Sequence, residues 1–173
     1  MSATQVRTTD VINSILGAAD GGTIVALRNQ KPALVDELQA YYLALFEPDA
    51  ASAVALPLVD RYLIAVRVAS HSGSTAVANW YANLALEAGI GEDTLARLRD
   101  VATPWSDQTP LGAAMRHADL LTTRPSAAEA AHLQTLKEAG YSPAGVMSLS
   151  QVIAFVSYQL RLIAGLRALG EAS

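Results

Sequence analysis

Cysteine is absent from all 173 residues of the sequence. Without a thiol, the chain has no disulfide, no thiolate metal ligand and no cysteine nucleophile or redox centre. Charged residues are also scarce, at 16%, and the net charge is −4 with the basic residues spread along the chain. Proteins that bind nucleic acids or anionic membranes cluster their basic residues, so we expect neither partner.

The sequence also lacks a secretory signal and a long uninterrupted apolar run. Its first residues, MSATQVRTTDVINS, have neither the basic nor the apolar block of a secretory leader. The most apolar stretch, Val152 to Leu169, is interrupted by Gln159, Arg161 and Arg167. We therefore expect no membrane-spanning segment and a cytoplasmic protein.

Apolar residues are abundant, at 51% of the chain. A chain of this length fits one domain, residues 1–173, with a sizeable buried core. Because so few charged residues remain to cover the surface, we expect a homo-oligomer in which partner chains hide apolar area. A compact, alanine-rich monomer is the alternative.

Apolar residues recur at helical spacing, and no window alternates with a period of two for long enough to predict a strand. The predicted fold is all-α, a bundle of about eight helices. Asp10, Thr109-Pro110 and Ser142-Pro143 are typical helix starts, because a side-chain oxygen caps the first turn and proline suits it. The stretch from Glu47 to Ala55 is predicted to be a loop.

A helical hairpin from Asp60 to Ile90 is the main candidate for a functional site. Its first helix is apolar nearly all round, yet Asp60, Arg67 and His71 fall on one stripe of it. One interpretation is an acid, a cation and an imidazole that face a pocket. The other is that the charged residues form structural pairs near helix ends or at a subunit contact.

The small-residue turn after His71 leads into the second helix, where Ser74 and Thr75 are placed to donate hydrogen bonds from its start. Trp80 and Tyr81 follow, as lining of an aromatic pocket or as core and interface residues. The three histidines are too scattered for metal-ligand spacing. We expect no metal and no cofactor.

Two patterns carry a family resemblance. The hairpin combines an apolar helix, a small-residue turn and a second apolar helix that stops at Ala88-Gly89, and the C-terminal half has Gln151-x-x-Ala154-Phe155 followed by Arg161. Together they resemble the carboxymuconolactone decarboxylase and alkylhydroperoxidase D-like superfamily, in its peroxidase-related branch. The resemblance covers nearly the whole chain, and it implies an alkylhydroperoxidase D-like helical bundle that assembles into a homo-oligomer, from dimer to hexamer.

The redox members of that superfamily carry an acidic residue upstream of C-x-x-C-x-x-x-H, and Asp60 lies near the position of that acidic residue. One register puts the two cysteines and the histidine at Ser74, Val77 and Tyr81, and a one-residue slip puts them at Gly73, Ala76 and Trp80. Both sulfurs and the histidine are missing in either register. Because serine is too weak an acid to replace a peroxidatic thiolate, thiol peroxidase activity is not expected.

Three functions are consistent with these patterns. The first is a homo-oligomer that has lost thiol chemistry and binds a small molecule at the hairpin. The second is a cofactor-free enzyme, of the decarboxylase or isomerase type, acting on a small organic acid or lactone, with His71 and Asp60 as base and acid and Arg67 holding a carboxylate. The third is a non-catalytic helical subunit that binds a partner.

Overall fold

The computed structural model describes residues 10–18, 22–105 and 108–171. All regular secondary structure in these residues is helical, which confirms the all-α prediction. The α-helices, numbered here in chain order, are α1 (Val11–Leu16), α2 (Thr23–Arg28), α3 (Pro32–Phe46), α4 (Ala50–Ala55), α5 (Leu58–His71), α6 (Thr75–Glu87), α7 (Glu92–Arg99), α8 (Pro110–Thr123), α9 (Ala130–Glu138) and α10 (Pro143–Glu171). A short 3-10 helix, Pro125–Ala127, lies between α8 and α9.

The three predicted helix starts are confirmed by side-chain hydrogen bonds. Asp10 accepts from the backbone N–H of Asn13 at 2.8 Å, and Thr109 accepts from that of Gly112 at 3.0 Å. The hydroxyl of Ser142 accepts from the N–H of residue 145 at 3.1 Å. Each cap satisfies one of the backbone donors that a helix start leaves without an intrahelical partner.

The predicted loop from Glu47 to Ala55 is wrong, because α4 occupies its second half. The carboxylate of Asp49 accepts from the N–H of Ser52 at 2.7 Å and so caps the helix. Alanine, which dominates this stretch, has the highest intrinsic helix propensity. Short helices of this kind raise the number of α-helices in the described residues to ten, against the eight or so expected.

Helix α5 lies at the centre of the fold, in contact with α6, α7, α8 and α10. Every residue from Arg61 to Ala69 is buried. This burial follows from the sequence, since a helix that is apolar nearly all round has to be covered on all sides. The polar groups on α5 therefore need partners inside the protein.

Helix α10 packs its inner face on α5 and also contacts α4, α8, α2 and α3. Contrary to the expectation from its polar interruptions, the segment Pro143–Gly170 is long and apolar enough to cross a membrane. Within its most apolar window, 44% of the residues are buried in the fold. A long core helix of a helical bundle has the same length and composition, and α10 occupies that position here.

Gly145 marks a close approach of α10 to α4. A Cβ atom at Gly145 would lie 2.6 Å from the carbonyl oxygen of Ala55 and 3.2 Å from Cδ1 of Tyr141. Because the obstructing atom belongs to the backbone, we expect Gly145→Ala to lower the free energy of unfolding by about 1–3 kcal/mol, as overpacked sites do. Urea denaturation measures this change.

Gly165, on the same helix, is the matched control. A Cβ atom there would meet no other atom within 4 Å. Gly165→Ala should therefore raise the free energy of unfolding by about 0.5–1 kcal/mol, through helix propensity alone. Equal effects of the two substitutions would show that α10 does not approach α4 as closely as described.

Candidate functional site

Arg67 is 1% exposed and is the polar centre of the site. Its guanidinium binds both carboxylate oxygens of Asp119 on α8, with Nε donating to Oδ1 at 2.7 Å and Nη2 to Oδ2 at 2.9 Å. Its Nη1 donates to the carbonyl oxygens of Asp100 at 2.8 Å and Leu98 at 3.3 Å. One side chain therefore provides a bidentate ion pair and also satisfies carbonyls at the C-terminal end of α7.

His71, the last residue of α5, joins the same carboxylate. Its Nε2 lies 2.7 Å from Oδ1 of Asp119, the oxygen that Nε of Arg67 also binds. The imidazole is 12% exposed and the Asp119 side chain 23% exposed, so the pair lies near the surface. With Nε2 donating to the carboxylate, neutral His71 keeps Nδ1 as a proton acceptor. An Asp–His pair of this kind is suited to general base chemistry.

Asp60, the third residue of the predicted stripe, lies at the opposite end of α5. Eleven residues separate it from His71, which corresponds to roughly 16 Å along a helix axis. Its surroundings differ too: burial raises the pKa of its carboxyl. Burial, and secondarily the carboxylate of Asp60, raises the pKa of nearby Tyr141 to about 12. The structure brings Arg67 and His71 together through Asp119 and leaves Asp60 outside that cluster.

An open cavity of about 430 Å³ adjoins the turn between α5 and α6; we call it the hairpin cavity. Its lining starts at Ser72, the residue after His71, and includes Thr122, one turn after Asp119. The polar lining residues are Ser72, Ser74, Thr122, Ser157, Arg161 and Arg167. None of the described lining residues is acidic, so their net charge is positive.

The other predicted pocket residues lie in different places. Thr75 lines a smaller cavity of about 210 Å³, which shares Ser74 with the hairpin cavity and includes Arg99. Trp80 lines a separate cavity, together with Ser14 of α1. Tyr81 is fully buried in the core, where its hydroxyl donates to Oε1 of Gln159 at 2.6 Å. Of the four, Ser74 alone lines the hairpin cavity.

Comparison with known proteins assigns no family or function to this chain. No protein-family model, curated protein or solved structure matches this chain. Among the residues that the structure describes, no three histidine, aspartate or glutamate side chains converge in a way that would hold a metal ion. The chemistry of the site therefore has to be interpreted from its own side chains.

Three residues of the site were missed in the sequence analysis: Asp119, Arg161 and Arg167. Asp119 had a signal, because it is the one acidic residue in the sequence of α8. A lone carboxylate on a largely buried helix needs a cationic partner, and Arg67 on an apolar helix has the matching need. Arg167 was noted only as an interruption of an apolar stretch, and Arg161 as that and as part of the family pattern. Nothing in the sequence placed them opposite the hairpin turn.

Proposed function

We propose that the hairpin cavity binds a small organic anion and that this binding is the function of the protein. The observation that carries the proposal is the pair of arginines in a lining whose described residues include no acid. Arg161 donates from Nη1 to the carbonyl oxygen of Ser157 at 2.8 Å, and within the described residues neither Arg161 nor Arg167 has a carboxylate partner. Guanidinium groups bind carboxylate and phosphate in bidentate geometry.

Two further features support an anion in this place. Four hydroxyl groups line the cavity; that of Ser72 donates to the carbonyl oxygen of Val68 at 3.3 Å, and the other three can donate to carboxylate or phosphate oxygens. The cavity also lies at the start of α6, where Ser74 makes no side-chain cap, so the first N–H groups face the turn without that partner. The volume of about 430 Å³ lies in the range of small-molecule sites.

Variants of the two arginines test the proposal. We expect succinate, added at millimolar concentration, to raise the melting temperature of the protein, and succinamide, its neutral counterpart, to leave it unchanged. Arg161→Met combined with Arg167→Met should weaken succinate binding at least about tenfold, the loss of about 1.4 kcal/mol of interaction. Isothermal titration calorimetry measures the affinity.

Arg124→Met is the control for that experiment, because Arg124 is exposed and lies outside the cavity. It removes one positive charge, where the double variant removes two, without touching the lining. If Arg124→Met weakens succinate binding as much as the double variant does, the anion responds to overall charge and the cavity is not its site.

A second candidate function is acid–base catalysis on the bound anion. The hydrogen bond of 2.7 Å between His71 and Asp119 favours it, since the carboxylate holds the imidazole in the orientation of a general base. Under this proposal His71→Gln abolishes turnover and leaves the affinity for the anion within about twofold. An activity that survives His71→Gln would exclude His71 as the base.

We also propose that the chain is a cytoplasmic homo-oligomer, of two to six subunits, from the carboxymuconolactone decarboxylase and alkylhydroperoxidase D-like superfamily. The hairpin of α5 and α6 with its small-residue turn supports the family, as does Arg161 on α10. Large apolar side chains that remain exposed outside the cavities, such as Val54, Met147 and Leu86, support the assembly. Thiol peroxidase chemistry has no place in the proposal, because the sequence contains no cysteine.

A further inference from the structure

A second, apolar concavity lies between α2, α3 and α10, and we call it the leucine groove. It has a volume of about 290 Å³ and is lined by six leucines: Leu27, Leu34, Leu38, Leu162, Leu166 and Leu169. Its α10 residues lie on the face of the helix roughly opposite to the face that lines the hairpin cavity. The two cavities are therefore separate sites.

The lining of the leucine groove extends along α10. Helices α3 and α10 run beside each other, with the rings of Tyr41 and Phe155 in edge contact at 5.0 Å near one end of the groove. At the other end, Ile24 of α2 lies against Gly170. The lining residues of α10 extend from Tyr158 to Leu169, eleven residues, which correspond to roughly 16 Å of helix.

The leucine groove contains positive charge as well as leucines. Arg28 and Lys31 line it at the corner between α2 and α3. The guanidinium of Arg28 is already bound to Asp10 and Asn13, with Nη2 donating to Oδ2 of Asp10 at 3.0 Å. Lys31 is exposed and has no hydrogen bond or ion pair through its side chain among the described residues. None of the described lining residues is acidic, so Lys31 is a free cation in a largely apolar lining.

We propose that the leucine groove binds a free single-chain carboxylate, with its apolar tail along α10 and its carboxylate at Nζ of Lys31. The groove has the two properties that such a molecule needs, an elongated apolar lining and an unpaired cation. A second copy of the protein fits less well. A stable protein interface involves about 20–30 residues on each side, whereas ten described residues line the leucine groove.

Decanoate is the probe for the test, with 1-decanol as its neutral match and decyltrimethylammonium as its cationic match. Two-dimensional amide NMR locates the binding. We expect decanoate to shift the signals of residues 27–38 and 158–169, and to bind at least about fivefold more tightly than either match. Lys31→Met should bring the affinity for decanoate down to that for 1-decanol and leave the affinity for 1-decanol unchanged.

Leu34→Glu adds a carboxylate at the rim, where Leu34 is 66% exposed, and should weaken decanoate binding about tenfold. Its control is Leu133→Glu, since Leu133 is 41% exposed on α9, away from the groove. Equal affinities for decanoate in the two glutamate variants would overturn the proposal, as would decanoate signals confined to residues 72–74. Analytical ultracentrifugation tests the alternative occupant. If the protein is a dimer that Leu34→Glu dissociates, a second copy fills the groove and the carboxylate proposal is overturned.

Discussion

Asp119→Asn is expected to lower the free energy of unfolding by about 2–4 kcal/mol, a large part of the stability of an ordinary domain. The substitution leaves the guanidinium of Arg67 buried, with one neutral oxygen in place of two charged ones. Removing one partner of a buried ion pair costs about 3–5 kcal/mol, and the partial exposure of Asp119, at 23%, reduces that figure. Denaturation of the variant with guanidinium chloride measures the loss of unfolding free energy.

A double-mutant cycle separates the ion pair from other effects of the substitution. Arg67→Met alone also leaves the carbonyls of Leu98 and Asp100 without their donor. We expect the pair Arg67→Met and Asp119→Asn to be coupled by at least about 1.5 kcal/mol. His71→Gln should cost less than about 1 kcal/mol, because the imidazole is near the surface and glutamine keeps a donor. Additive losses from Arg67 and Asp119 would mean that the two do not form a pair in solution.

Arg61→Met is expected to destabilise the protein by about 3–5 kcal/mol. Arg61 is 1% exposed, and its three nitrogens donate to three backbone carbonyls: Nε to Leu56 at 2.9 Å, Nη1 to Leu45 at 2.7 Å and Nη2 to Ser52 at 2.6 Å. These carbonyls lie near the C-terminal ends of α3 and α4, where a helix leaves acceptors without an intrahelical donor; only that of Ser52 also accepts from a backbone N–H, of Leu56, at 3.2 Å. Methionine has a similar apolar stem and no donor, so the carbonyls of Leu45 and Leu56 lose their partner inside the protein.

Arg61→Lys tests the geometry of that contact. A lysine supplies one compact charge and cannot donate to three separated carbonyls as the planar guanidinium does, so most of the loss should remain. Arg124→Met, an exposed change of the same kind, should shift the unfolding free energy by less than about 0.5 kcal/mol. A lysine variant as stable as the original chain would show that charge, and not the three hydrogen bonds, is what Arg61 contributes.

Local patterns in the sequence predict most of the fold. Helical spacing of apolar residues predicts the all-α class, and short-range hydrogen-bonding residues such as Thr109 and Ser142 mark helix starts correctly. The loop predicted before Ala55 fails for a local reason too. Small residues after Pro48 suggested a turn, whereas the capping carboxylate of Asp49 and the helix propensity of alanine produce α4.

The site is harder to predict because its partners are far apart in sequence. Helical periodicity correctly places Arg67 and His71 on one face of α5, but Asp119, which joins them, is 52 residues from Arg67. The same periodicity places Asp60 on that face, but eleven residues of helix, roughly 16 Å, separate it from His71, so a shared face does not bring the two side chains together. Arg161 reaches the hairpin cavity only because α10 packs on α5, a contact that depends on tertiary structure.

The two cavities share one stretch of helix. Residues of α10 between Ser157 and Leu169 line the hairpin cavity on one face and the leucine groove on the other. Ligands in the two cavities would therefore contact the same turns of α10 from opposite sides. If occupancy of one site changes affinity at the other, thermodynamic linkage requires the same factor in both directions.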